Sequence, residues 1–130
     1  MSTDCYAGAR GGLGDRGRAG VRAGELVRRA PHPLAGRTVL DAGAGTGLGS
    51  AALAAAGARV VALDLSADML SWQLGARPPA VVGDVTRLPL RDDAVDDVLA
   101  AFVLNHLVDP HAGLAELRRV TRPGGALLRA

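Results

Sequence analysis

The chain has no lysine and no isoleucine, a single cysteine, and one residue each of tryptophan, tyrosine and phenylalanine among its 130 positions. Without lysine there is no Schiff-base former, no lysine general base and no lysine clamp for phosphates. All 15 positive charges are arginine, a bias that reads as GC-rich codon usage rather than as a selected surface. With Cys5 alone, no internal disulfide can form. With so few aromatics the core has to be assembled from Ala, Val and Leu, each burying modest area, so ordinary or marginal stability is expected. The longest apolar stretches, Ala51–Ala56 and Val98–Leu104, fall far short of the roughly 18 residues of a membrane span. No charged start followed by an apolar segment marks a secretory leader. A cytoplasmic location with no membrane role is expected.

The charge that is present is unevenly placed. Residues 1–37 carry seven Arg against Asp4, Asp15 and Glu25, whereas the remainder carries eight Arg against ten acids. A basic front can meet a polyanion. Seven glycines in the first 24 residues, and no periodicity up to about Gly20, instead make residues 1–20 a poorly ordered lead-in and disfavour nucleic acid as a partner. Residues 21–130 suffice for one compact domain with one core.

Val21–Ala30, with Val21, Leu26 and Val27 set among charges, predicts a helix that ends before Pro31. From Thr38 onward short apolar runs alternate with helical patterns. Thr38–Asp41 is a buried strand, Gly47–Ala56 an Ala-rich helix closed by Gly57, and Arg59–Leu63 a second strand. Ser66 is a good N-cap, with Leu65 and Leu70 spaced as a hydrophobic staple, for a helix that stops before Pro78 and Pro79. Ala80–Gly83 and Asp97–Phe102 read as third and fourth strands, and Thr86–Asp96 between them as loop or short helix. Asp109-Pro110 starts a helix with Leu114, Leu117 and Val120 on one face; Pro123-Gly124-Gly125 ends it, and Ala126–Arg129 begins a fifth strand. The alternation predicts an α/β fold: a Rossmann-like doubly wound, mostly parallel sheet.

Glycine is concentrated where the first strand meets the first helix of this alternation, in VLDAGAGTGLG, Val39–Gly49. Such a turn offers bare N–H groups and the positive end of a helix, suited to an anion or carboxylate. A dinucleotide site calls for G-x-G-x-x-G, but the glycines here fall at 43, 45, 47 and 49, which also argues against a nicotinamide dehydrogenase. A phosphate-binding Walker loop needs a lysine, and there is none. Asp64, at the end of the second strand, stands where an acid can accept from both hydroxyls of a ribose.

Four ordered segments resemble motifs of the class I S-adenosylmethionine-dependent methyltransferases, in particular the small-molecule group that includes quinone-biosynthesis and carrier-protein enzymes. They are VLDAGAGTG with Asp41, VVALDLSADML with Asp64, GDVTRLPLRDDAVDDV with Asp84, and LAELRRVTRPGG before the fifth strand. The resemblance implies that S-adenosylmethionine is the cofactor. It also implies that Gly43, Ala44, Gly45 and Gly47 let the backbone approach its methionine part, that Asp41 orients that loop or meets the ammonium, and that Asp64 holds the ribose. Leu65 and Met69 would flank the adenine, Asp84 would accept its exocyclic amine, and the Val85 amide would lie nearby. The cofactor carries no phosphate, so a lysine-free site of acids and amides suits it.

Methyl transfer from a sulfonium is an in-line displacement, so a base is optional. In the segment after the fourth strand His106 is the one side chain suited to deprotonate an acceptor. No Asn/Asp-Pro-Pro-aromatic signature of amino methyltransferases is present, so a small-molecule acceptor, methylated on O, N or C, is expected, and no metal. The family pattern adds a helix and an antiparallel hairpin after the fifth strand. Here the sequence stops at that strand, so the domain over 21–130 is expected to be incomplete at its C-terminus. Its open sheet edge would be covered by a second copy or a partner, and a non-catalytic cofactor-binding module is the alternative to an enzyme.

Overall fold

Winding starts at the middle of the sheet and moves outward twice, first to one side and then to the other. The computed structural model describes residues 13–44, 47–65, 79–101, 103–104 and 107–129. After helix α1 (Leu13–Arg28) come strand β1 (Thr38–Ala42), helix α2 (Leu48–Ala55), strands β2 (Arg59–Asp64), β3 (Ala80–Val82) and β4 (Asp97–Ala100), helix α3 (Pro110–Val120) and strand β5 (Leu127–Arg129). The strand order is β3-β2-β1-β4-β5 and every pairing is parallel. Strand order therefore reverses between β1 and β4. Beyond the carboxyl ends of those two strands a doubly wound sheet opens the crevice in which ligands bind.

Both faces of the sheet are covered, which is why its central strands read as continuous apolar runs rather than alternating ones. On one face Val39, Val60, Leu99 and Leu128 pack with Leu53 of α2, Leu34, and Leu26 and Val27 of α1. On the other, Leu40, Leu63, Val98 and Ala100 pack with Leu117 and Val120 of α3 and with Val85, Leu88 and Val95 from the β3–β4 connection. That connection is clasped to α3 by a polar cluster. Glu116 Oε2 accepts the Leu88 amide at 2.7 Å, while the Arg119 guanidinium donates to Glu116 Oε1 at 2.7 Å, to Asp92 at 2.8 Å and to the Leu88 carbonyl at 3.2 Å. Asp109 caps α3 as its sequence foretells, accepting from the Ala112 amide at 3.1 Å ahead of Pro110.

The two largest differences from the sequence reading concern element bounds. Helix α1 begins at Leu13, eight residues before Val21, so part of the glycine-rich lead-in is helical. Leu, Ala and Arg favour helix and α1 packs against α2, with Gly20 facing Leu48; tertiary contact thus outweighs the cost of its glycines. Strand β4 ends at Ala100 rather than Phe102. The helix expected from Ser66 lies outside the described residues. Among the described residues no helix is long and apolar enough to cross a membrane.

At the amino end of the sheet one carboxylate gathers several elements. Asp97, the first residue of β4, has no exposed surface. It receives His32 Nε2 at 2.8 Å, Arg37 Nε at 2.7 Å and the Ala126 amide at 2.8 Å. The α1–β1 connection, β4 and the approach to β5 are tied together there.

Candidate functional site at the carboxyl edge of the sheet

Strand β1 runs into Gly43 (φ 72°), whose amide and that of Ala44 both donate to the Leu63 carbonyl at the end of β2, at 2.8 and 2.9 Å. A side chain at Gly43 would place its Cβ 2.7 Å from Val103 Cβ. The residue must therefore be glycine twice over, for its left-handed backbone and for the close passage of the segment after β4. Gly47 (φ 99°) precedes α2 and has no side chain to cap it, so the backbone N–H groups of this helix start face the carboxyl edge.

Asp41 lies beneath that helix start. It is 3% exposed, Ser50 Oγ donates to its Oδ2 at 2.7 Å, and a Cβ on Gly49 would stand 3.1 Å from each carboxylate oxygen. A buried acid under the positive end of α2 fixes how β1 turns into the helix. Asp64, the last residue of β2, is fully buried, and its carbonyl accepts the Gly83 amide at 2.9 Å. Leu65, half-buried, follows it at the rim.

Asp84 stands two residues beyond β3 and opens a tight turn, its carbonyl accepting the Arg87 amide at 3.0 Å. Oδ1 of its carboxylate accepts both the Thr86 hydroxyl at 2.7 Å and the Thr86 amide at 2.9 Å. Those two bonds, the hydroxyl foremost, hold the Asp84 carboxyl below the usual carboxylate range, with a smaller pull from Arg87. The Val85 side chain is buried in the core against α3, leaving only its backbone for the site. Between this turn and the start of α3 lies an open groove of about 550 Å³, lined by Asp84, Thr86, Arg87, Leu107, Val108 and Asp109 among others.

The structure thus brings Asp41, Gly43, Ala44, Gly47, Asp64, Leu65, Asp84 and Val85 to one edge of the sheet. Gly45, Met69 and His106 lie outside the described residues. No cluster of three or more metal-ligating side chains occurs among the described residues.

A family model described as a methyltransferase domain matches residues 40–128, from β1 through β5. The chain belongs to that family. Over 107 residues this methyltransferase domain is 48% identical to the demethylmenaquinone methyltransferase of Clavibacter sepedonicus, in a match covering 77% of the chain and 43% of that protein. The chain therefore spans less than half the length of that curated relative. Its fold superimposes on a methyltransferase in complex with the Haloferax volcanii Trm112 methyltransferase activator, with a TM-score of 0.83 and 31% identity, covering 98% of this chain and 59% of that one. A SAM-dependent methyltransferase from Aquifex aeolicus gives a TM-score of 0.66 at 29% identity, covering 82% and 62%. The doubly wound parallel sheet expected from the sequence is the fold of these methyltransferases.

Sequence reasoning passed over Ser50, Thr86 and Arg87. For Thr86 a signal existed: a hydroxyl residue two positions after an aspartate marks a local turn in which the acid accepts from the chain just ahead of it. Ser50 carries no such signal, because its partner Asp41 is nine residues away and meets it only once α2 has folded over β1.

Proposed function

We propose that this methyltransferase domain binds S-adenosylmethionine at the carboxyl edge of its sheet and serves transfer of its methyl group to a small-molecule acceptor of the demethylmenaquinone type. The observation that carries the reading is that Asp41, Asp64 and Asp84 stand at or just beyond the carboxyl ends of the adjacent strands β1, β2 and β3, with the Gly43 turn bonded to the end of β2. Acids and backbone amides match a ligand that offers an ammonium, two ribose hydroxyls and an exocyclic amine. In this reading the Gly43–Gly47 backbone lies against the methionine part, Asp64 accepts from the ribose hydroxyls, and Leu65 and Met69 flank the adenine. Asp84 and the Val85 amide meet the adenine's polar edge. The cofactor supplies an activated methyl on a sulfonium. The protein's share is to orient donor and acceptor in line, to exclude water, and, through His106, to take a proton from the acceptor.

The acceptor class rests on the name of the Clavibacter sepedonicus relative, and a cytoplasmic site of action is part of the same proposal. The complex formed by the Haloferax volcanii neighbour supports a protein partner for this chain as well.

Calorimetric titration with S-adenosylhomocysteine tests the cofactor reading. The wild-type chain is expected to bind and Asp64→Asn to weaken binding on the order of 100-fold, as loss of charge-assisted hydrogen bonds does. Binding indifferent to that substitution sinks the assignment. Transfer of labelled methyl to demethylmenaquinol, against a panel of phenols and amines, tests the acceptor.

A further inference from the structure

The turn at Asp84 is more ordered than a connection between a strand end and a loop requires. One bond from the Thr86 amide would suffice to close it, yet the Thr86 hydroxyl adds a second, shorter one to the same oxygen. Both converge on Oδ1, and Oδ2 accepts no hydrogen bond from any described residue. Asp84 and Thr86 together line the groove that opens toward the start of α3. The carboxylate is thereby held in one orientation, and one oxygen is left for a ligand. An ionised carboxylate only accepts, so an oxygen fixed in this way favours a ligand N–H and penalises a ligand that lacks one.

We infer that Thr86 is a positioning residue that sets Asp84 to recognise the exocyclic amine of a 6-aminopurine, and so makes this end of the site selective for that group. The inference rests on the cofactor reading above and goes beyond it in assigning the selectivity to a side chain that need not touch the ligand. Removing the hydroxyl leaves Asp84 in place but lets its carboxylate turn. The cost should fall on ligands that carry the amine and spare those that do not.

Two ligands decide it, S-adenosylhomocysteine and its analogue with hydrogen in place of the 6-amino group, each titrated calorimetrically into the full 130-residue chain. Thr86→Val keeps the shape and the backbone amide while losing the hydroxyl. It is expected to weaken the amine-bearing ligand about 5-fold, the worth of one hydrogen bond, and the deaminated one by less than about twofold. Thr86→Ser restores the hydroxyl and is expected to recover wild-type affinity for both. Should Thr86→Val fail to fold by circular dichroism, Thr86→Ala carries the same comparison. Equal weakening of both ligands, no weakening of either, or failure of Thr86→Ser to rescue overturns the inference while leaving the cofactor reading intact. A wild-type chain that does not bind S-adenosylhomocysteine, or whose binding ignores Asp64→Asn, overturns both.

Discussion

The two ends of the sheet hold their carboxylates by opposite means. At the amino end Asp97 is fully buried and answered by the side chains of His32 and Arg37 and by the Ala126 amide, with nothing left over. At the carboxyl edge Asp84 is half-exposed and answered by one threonine, through bonds to a single oxygen. Both carboxyls sit below their ordinary range, for different reasons. Burial pushes Asp97 upward, and the bonds from Arg37, the Ala126 amide and His32 together outweigh it; Asp84 is lowered chiefly by the Thr86 hydroxyl. A carboxylate that ties elements together saturates its hydrogen-bonding capacity with protein donors, whereas one left half in solvent keeps capacity in hand.

The largest effect is expected from Asp97→Asn. An amide cannot accept from Arg37, His32 and Ala126 at once, and the variant is expected to lose about 3 kcal/mol in urea denaturation, as when one partner of a buried charge network is removed. The same network predicts a pH dependence. Because the folded carboxyl lies below its unfolded value of about 3.9, its contribution is fully present above that pH and is lost as pH falls through the lower folded value. The wild type should therefore lose stability more steeply than Asp97→Asn on acidification below about pH 4. Parallel acid titrations of the two would show the Asn variant no flatter if Asp97 is not the group responsible.

A smaller effect is expected at the turn itself, where bare backbone takes the part that charges take at the other end. Gly43→Ala has to place a methyl against Val103 and hold an alanine at φ 72°. Strain and overpacking together should cost about 2–3 kcal/mol. In a Val103→Gly background, which lacks the Cβ that the new methyl meets, the same substitution should cost only the backbone part, roughly 1–2 kcal/mol. A Gly43→Ala cost as large in that background as in the wild type would show that the close passage of the segment after β4 is not what demands glycine here.

How much of this could be read from the residues differs between the two ends for the same physical reason. Local chemistry was legible. The Asp109-Pro110 start of α3, Gly57 at the close of α2 (φ 84°) and the acid ending β2 all follow from neighbours within a few positions. The doubly wound parallel sheet followed from the alternation of elements. The Asp97 network was not legible, because its partners are 65, 60 and 29 residues away and meet only in the folded sheet. The early start of α1 was hidden likewise, since glycines argue against a helix that packing against α2 sustains. At the site, the three acids were legible because each ends or follows a strand. The groove was not, because its far wall comes from the start of α3, more than twenty residues beyond Asp84.

The smallest stability effect and the sharpest contrast are expected when the Asp97 substitution is repeated at the other end, as Asp84→Asn. The Asn carbonyl can still accept from the Thr86 amide and hydroxyl, the residue is half in solvent, and no buried cation is left without a partner. Its cost in urea denaturation should be no more than about 0.5–1 kcal/mol, the range of a partly exposed hydrogen bond weakened by losing its charge. Some acid dependence should go with it, in the same direction as at Asp97, since the folded Asp84 carboxyl is also lowered and contributes above about pH 3.9. Under the proposed function, the loss appears instead in affinity for S-adenosylhomocysteine, because the oxygen left to the ligand becomes an amide group that presents a donor to a donor or a weaker acceptor. Identical chemistry would then cost stability at one end of the sheet and recognition at the other. An Asp84→Asn variant as unstable as Asp97→Asn would place Asp84 among the groups that hold the fold together.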